Sequence, residues 1–270
     1  MLSIYNCYID RSDILQLSDI SGKRNIMMVI SYDGKRYHGW QIQKNAVTLQ
    51  EVYQKALKKV LGYLPDIKGC SRTDSGVHAN MYCISFKIGS PIPCNKLVLA
   101  INKYLPKDIS ALKCIDVDEN FHARYSCRGK EYIYKIWNHQ IRNPFLDGYA
   151  LHYWYPLDEY KLDMMAKNYV GKKDFTSFCT FDKRKVGDMT RTVEYFKVYR
   201  EGNLIIFKVK ADGFLYNMVR IMVGTLLRNV RGRGEDINTI LSLKNRKYAG
   251  PTSPACGLYL NKVFYEGLIL

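Results

Sequence analysis

The sequence predicts an α+β protein made of two split βαβ halves, and three observations lead there. Hydrophobic spacing reads as strand, helix, strand, strand, helix, strand. That order occurs twice within 270 residues. No low-complexity or Pro/Gly-rich stretch separates the copies, so they are expected to pack as one rigid body. Two units of this ferredoxin-like kind place antiparallel sheets side by side with helices on one face, leaving the other face open for a large ligand.

In the first copy, Arg24–Tyr32 is apolar and β-branched at its centre and stops at the turn signal Asp33-Gly34. Thr48-Leu49-Gln50-Glu51 has the form of a capping box, and Leu49, Val52, Tyr53, Ala56, Leu57 and Val60 follow at helical spacing. A helix is expected from Thr48 to about Leu61. Ile67–Cys70 and Tyr82–Phe86 read as short strands around a Gly-containing loop. Lys96–Leu105 reads as a helix stopped by Pro106, and Ile109–Val117 as a strand. In the second copy, Glu131–Trp137 alternates as a strand and Leu157–Tyr169 is a helix ending at Gly171. Thr190–Tyr199 and Leu204–Val209 form a hairpin across Glu201-Gly202-Asn203. Tyr216–Val230 is a long helix with Val219, Met222, Val223, Leu226 and Val230 on one face. Asp236–Leu243 is an inserted helix, and Gly257–Tyr265 closes the set. The division expected is an N-terminal extension of open role over 1–24, one half over 25–120 and the other over 121–270.

Lys and Arg total 41 against 25 acidic residues, a formal charge of +16, which fits a polyanionic partner or, equally, a solvated basic surface that aids solubility. The 22 tyrosines add aromatic faces on which unpaired bases can stack, although most are expected in strands and core. No apolar run reaches the roughly 20 residues of a membrane span. Asp10, Arg11, Asp13 and Asp19 break up the N-terminal segment where a secretion signal would be apolar. The eight cysteines are scattered, with no C-x-x-C and no histidine at ligand spacing, which reads as thiols in a reducing compartment and not as zinc ligands or disulfides. A cytoplasmic location and no membrane partner are expected.

The densest chemistry lies in Ser71-Arg72-Thr73-Asp74-Ser75-Gly76-Val77-His78-Ala79, between the two central strands of the first half. It packs Arg, Asp and His into a few residues, with Gly76 to permit a sharp turn. On local chemistry alone, Asp74 reads first as an Asx-turn former and His78 as a structural histidine. The same nine residues resemble the signature G-R-T-D-A-G-V-H-A of the tRNA pseudouridine synthase A family. Further blocks fit that family in order: Ser31-Tyr32-Asp33-Gly34 with Tyr37, Gly39, Trp40 and Gln41; Phe121-His122-Ala123-Arg124 followed by Glu131-Tyr132-Ile133-Tyr134; Asp174-Phe175-Thr176-Ser177-Phe178; Met218-Val219-Arg220 with Val223-Gly224; and Gly257-Leu258-Tyr259-Leu260. The resemblance runs from about residue 25 to the C-terminus. Ser71 and Ser75 depart from it, and Ser71 in place of glycine requires a backbone that an L-residue can adopt.

The resemblance implies an enzyme that isomerises uridines to pseudouridine in the anticodon stem–loop of tRNA. Asp74 would be the catalytic residue, acting on the flipped nucleotide either as a nucleophile at C1′ or as the base for the C2′ proton. Arg72 would contact the RNA backbone or fill the gap left by the flipped base. Tyr132 would stack on the uracil and could take the final C5 proton, Arg220 would pair with Asp74, and Leu258 would wall the apolar side. The product is an isomer, so no cofactor, ATP or metal is required. The implied assembly is a homodimer with one tRNA touching both subunits. Basic residues Arg124, Arg128, Lys130, Lys135 and Arg142, and a stripe of Arg220, Gly224, Arg228 and Arg231 along the late helix, read as phosphate contacts. Two rivals remain: a non-catalytic tRNA-binding or folding helper, and a nucleoside hydrolase using Glu131, Asp116 or Asp118 as its second carboxylate.

Overall fold

The computed structural model of the chain describes residues 24–180, 187–268 and 270; most of the expected N-terminal extension lies outside the described residues. The first half comprises β1 (Arg24–Tyr32), α1 (Leu49–Leu61), β2 (Lys68–Gly69), β3 (His78–Ile88), α2 (Cys94–Asn102) and β4 (Ile109–Val117). The second comprises β5 (Cys127–Trp137), β6 (Leu151–His152), α3 (Glu159–Ala166), β7 (Gly171–Asp174), β8 (Thr190–Glu201), β9 (Leu204–Ala211), α4 (Met218–Asn229), α5 (Ile237–Leu243) and β10 (Leu258–Tyr265). Short 3-10 turns fill several connections.

The strand order is β4-β1-β3-β10-β5-β9-β8-β7, with β2 on β3 and β6 on β5. In each half the fourth strand flanks the first, the first flanks the third, and the third borders the second. The split βαβ plan is therefore present twice. The two sheets meet edge to edge and fuse: β10 pairs parallel with β3, Tyr259 opposite His78 and Leu260 opposite Ala79. Beyond that short seam β10 turns away to follow β5, while β2 takes the same edge of β3 at Ser85 and Ile84. The sheet forks between them.

Pairing carries one side-chain face across the seam. Met28 lies opposite Ile84 and Cys114, and Ile30 opposite Tyr82, but Tyr32 lies opposite Ala79. β3 thus holds one extra residue, a bulge that keeps Ala79 on the face of Tyr32 instead of flipping it. Ala79 then borders Leu260, which lies opposite Tyr132, which in turn lies opposite Val209. This shared face is where the helices pack. Tyr53 of α1 donates to Met28 Sδ, and Cys94 at the start of α2 sits by Cys114. Tyr169, just after α3, stacks on Phe196 at 5.7 Å and reaches Met222 O of α4.

Local chemistry explains where elements differ from expectation. The capping box does not form: Thr48 is fully buried, its Oγ1 finds no partner, and Glu51 instead pairs with Lys55 one turn on, at 2.6 Å. α2 starts two residues before the expected Lys96 and ends at Asn102, whose side chain exchanges hydrogen bonds with both backbone groups of Ala111. α3 is shorter than Leu157–Tyr169 because Asp158 caps it and the last turn tightens to 3-10. β3 starts four residues before the expected Tyr82, since its first residues are paired by a strand almost two hundred residues away.

α4 buries every residue from Ile221 to Leu227. Gly224 is the close-approach point: a Cβ there would sit 1.9 Å from the carbonyl oxygen of Pro251. The residue that the sequence offered for contact with a partner or backbone meets the chain's own backbone. Gly224→Ala is therefore expected to destabilise the fold by about 2–3 kcal/mol, the upper range for overpacking a filled site. Urea unfolding should show a lower midpoint at unchanged slope; an unchanged midpoint would mean the 249–253 segment shifts at no cost.

Candidate active site

The loop from Ser71 to Val77 leaves the short β2 and re-enters at β3, beside the seam. It is held by backbone, not by its own acidic side chain. Val77 N donates to Asp74 O at 3.2 Å, closing the turn with Gly76 at φ 76. Gly76 N and Ser75 Oγ both donate to Tyr37 O, and Trp40 N donates to Thr73 O at 3.2 Å. The buried Thr73 hydroxyl bonds Tyr32 Oη at 3.0 Å. The block around residues 31–41 and the Asp74 loop are thus one structural unit. Ser71 does not occupy a left-handed backbone, so serine is accommodated where the family signature has glycine.

No Asx turn forms at Asp74. Its carboxylate points across to the second half, where Arg220 Nη1 donates to Oδ2 at 3.2 Å. Arg220 sits in the first turn of α4 and is aimed by two further bonds: Nε to Ser253 O at 2.7 Å and Nη1 to Asn217 Oδ1 at 2.8 Å. Asn217 precedes α4 in a left-handed conformation, φ 61, and its amide donates to Thr180 Oγ1. Side-chain exposures of 28% for Asp74 and 18% for Arg220 leave the pair reachable but largely dry. Burial is the largest influence on Asp74 and pushes its carboxyl above the ordinary value; the Arg220 charge and hydrogen bond pull it back without cancelling the rise.

Tyr132 lies on β5, on the helix-bearing face, buried, with Phe214 edge-on at 5.1 Å. Its phenol is pushed well up by burial and by the nearby Asp74 charge, with the Ser71 side chain opposing. Leu258 is buried on the same face, opposite Tyr134, whose hydroxyl donates to Pro254 O. Arg72 stands exposed at the loop's edge with no carboxylate partner among the described residues. The fold thus brings Asp74 and Arg220 into contact and sets Tyr132 and Leu258 on one neighbouring face. They stand on the side of the sheet that carries the helices, not on the opposite face.

Other sequence candidates sort differently. His78 is structural: it is 2% exposed, stacks on Tyr259 at 4.6 Å, accepts from Gly34 N and contacts Gly148 O. The arginine stripe on α4 is mostly internal. Arg228 donates to Tyr248 O and Ala249 O, which ties down a loop, and Arg231 stacks over Tyr155 at 4.2 Å but is exposed. In the central cluster, Arg128 pairs with Glu266 and Lys135 lies over Tyr259 at 4.3 Å. Glu131 is buried and accepts from Tyr195 and Asn261. Being next to Tyr132 on a strand, it points to the opposite face and cannot partner Asp74. Asp116 pairs with Arg24, and Asp118 caps the turn at Asn120. All three candidates for a hydrolase's second carboxylate are thus engaged elsewhere. Sequence reading missed Asn217, Phe214 and Ser253. Their roles depend on a backbone conformation, a ring edge and a carbonyl, none of which residue type reveals.

Comparison with known proteins bears on this site. A model described as tRNA pseudouridine synthase matches residues 28–126 and 165–266. The tRNA pseudouridine synthase A of a Thermoanaerobacter species is 44% identical over 244 residues, covering 90% of this chain and all of its own. That of Acetivibrio thermocellus is 41% identical over the same coverage, and that of Lactobacillus helveticus is 41% identical over 88% of this chain and 93% of its own.

A carboxyl whose folded pKa is raised contributes stability while protonated, below its unfolded pKa, and loses that contribution as pH rises through the folded pKa. Asp74→Asn removes this loss. Its stability relative to the parent is expected to improve between about pH 4 and pH 7, read from denaturant midpoints across that range. In Arg220→Gln the Asp74 carboxyl should titrate higher still by ¹³C NMR, because the charge that lowers it is gone. A relative stability that worsens with pH would mean that Arg220 outweighs burial.

Proposed function

The chain belongs to the tRNA pseudouridine synthase family, and from that premise we propose that it isomerises uridines in the anticodon stem–loop of tRNA, with Asp74 attacking the flipped nucleotide. One observation carries the site assignment: the Asp74–Arg220 ion pair, which joins the signature loop of one half to the helix of the other at 3.2 Å. On this proposal the half over 25–120 bears the acid, the half over 121–270 bears Tyr132, Arg220 and Leu258, and the working protein is a cytoplasmic homodimer. Among the described residues no helix is long and apolar enough to cross a membrane.

The reaction breaks N1–C1′, turns the uracil and joins C5 to C1′. The target base first leaves its stack, which costs a few kcal/mol. Arg72, exposed at the loop edge, would hold the backbone or fill the vacated space. Asp74 must be ionised to act, as nucleophile at C1′ or as base at C2′, and Arg220 opposes the burial that would protonate it. Leu258 keeps the side of the pocket apolar. Tyr132 enters as a neutral phenol, suited to stacking and to donating a hydrogen bond to the uracil. For it to take the C5 proton, its own proton must first pass on; Asp74, whose charge reaches it, is the carboxylate to receive that proton, and the proton lost from C5 is balanced by one gained at N1, the atom freed when N1–C1′ breaks. These steps need no cofactor.

Asp74→Asn is nearly isosteric and leaves the backbone-held loop intact. It is expected to form no pseudouridine in single-turnover assays with enzyme in excess while binding tRNA like the parent. Asp74→Glu should also be impaired, since misplacement of about 1 Å can cost 10²-fold. Pseudouridine made at the parent rate by the Asn variant would remove Asp74 from the chemistry. Tyr132→Phe keeps the ring and loses the hydroxyl; turnover should fall by roughly 10²–10⁴-fold at unchanged tRNA affinity. An undiminished rate would reduce Tyr132 to a stacking platform. With the parent enzyme, unchanged RNA mass after turnover separates isomerisation from hydrolysis, which would release uracil.

A further inference from the structure

Beside the Asp74 loop, at the fork of the sheet, lies a pocket of about 370 Å³ that shares Arg72 with the site above and whose other walls take no part in the chemistry described there. It is of a size that holds a small ligand. Ser71 and Arg72 form one wall, and His122, Arg124 and Tyr125 another. Trp40, buried with its ring tilted against Tyr82 at 4.3 Å, packs beneath against Gly69 of β2. A Cβ on Gly69 would meet Trp40 Nε1 at 2.6 Å, so the floor is close-packed.

The pocket is charged in one sense. Lys68 is neutralised by Asp66 at 2.6 Å, whereas Arg72 and Arg124 are exposed and have no carboxylate partner among the described residues. His122 Nδ1 accepts from Arg124 N at 3.1 Å, which leaves Nε2 to carry the ring proton as a donor. Burial, with Lys68 and Arg124 nearby, holds the pKa of that ring below the ordinary imidazole value. Tyr125 is 78% exposed, yet its ring is held 4.4 Å from His122, with the Arg124 guanidinium 5.9 Å above it. Two unpaired guanidiniums beside an outward, supported aromatic ring suit a nucleotide: phosphate on the cations, base on the ring.

Position narrows the ligand further. Arg72 is two residues from Asp74, at most about 7 Å of extended chain. A ligand engaging both is continuous with the substrate and is not a free nucleotide. We propose that this pocket holds the nucleotide flanking the target uridine in the same RNA strand, with its phosphate on Arg72 and Arg124 and its base on Tyr125. The inference rests on reading the chain as a uridine isomerase acting on RNA.

The test uses the full-length protein and tRNA in which 4-thiouridine replaces a fraction of the uridines. Irradiated complexes are digested and the crosslinked peptide is identified by mass spectrometry, with the RNA position mapped by primer extension. A crosslink into residues 122–125 from a nucleotide next to the modified uridine is expected. Arg124→Ala and Tyr125→Ala should each weaken tRNA binding about tenfold, the low end for a contact to a charged group or a stacked base. Arg124→Ala should also flatten the log–log salt slope by about one, and Tyr125→Ala should not. Lys96→Ala, exposed on α2, serves as the control and should bind like the parent. Normal pseudouridine formation, with both pocket variants binding like the parent and no crosslink in this peptide, would overturn the pocket and leave the proposed activity standing. The crosslink and affinity losses without any pseudouridine would do the reverse.

Discussion

The seam between β3 and β10 is the constraint on which the rest depends. Two residue pairs, His78–Tyr259 and Ala79–Leu260, join the four strands of one half and the six of the other into one sheet. A parallel pair this short contributes little by itself; its effect is positional. It puts the loop that precedes β3 beside α4 of the other half, so an aspartate from one half meets an arginine 146 residues later. The bulge in β3 is the second part of the constraint. Without that extra residue the faces would be out of phase, and Tyr132 would lie on the opposite side from the Tyr32 and Thr73 pair that braces the loop.

The Asp74–Arg220 pair is a balance of opposing terms. Burial disfavours the carboxylate, and the guanidinium favours it; burial wins in part, so the acid is destabilised as an anion but not silenced. Such a group costs stability in exchange for reactivity. The supporting bonds fall on Arg220, which is fixed through Ser253 and Asn217, and not on Asp74, which makes no other side-chain bond. The cation is thus preorganised and the reacting carboxylate is left with free lone pairs. Asn217 holds a left-handed backbone that residues other than glycine seldom adopt, at the position where Arg220 is aimed.

The same logic separates the isomerase from a hydrolase built on a similar acid. Water-mediated cleavage needs a second carboxylate across the sugar. Glu131 is the nearest in sequence to Tyr132, but strand alternation sends it through the sheet to Tyr195 and Asn261. The face it occupies carries Ile133, Lys135, Lys208 and Tyr259 and lies apart from Asp74.

Periodicity and local chemistry by themselves determined the element order, the duplication and the loop that holds the acid. Arg24–Tyr32 and Ile109–Val117 have the expected bounds because the continuous apolar run of the first and the partly alternating burial of the second each lie within a single segment, where spacing is informative. The signature residues around Asp74 were legible as a group, because their chemistry is crowded into nine positions. What only the tertiary structure decided are relations between distant segments. The capping box at Thr48 gave way to burial and to Lys55; Arg228, which reads as a phosphate ligand, spends its donors on the carbonyls of residues 248 and 249; and β6 and β7 exist because neighbouring strands offer them an edge. A hydrogen-bond partner supplied from far along the chain leaves no mark on local spacing, so these outcomes follow from packing and cannot be read from either segment alone.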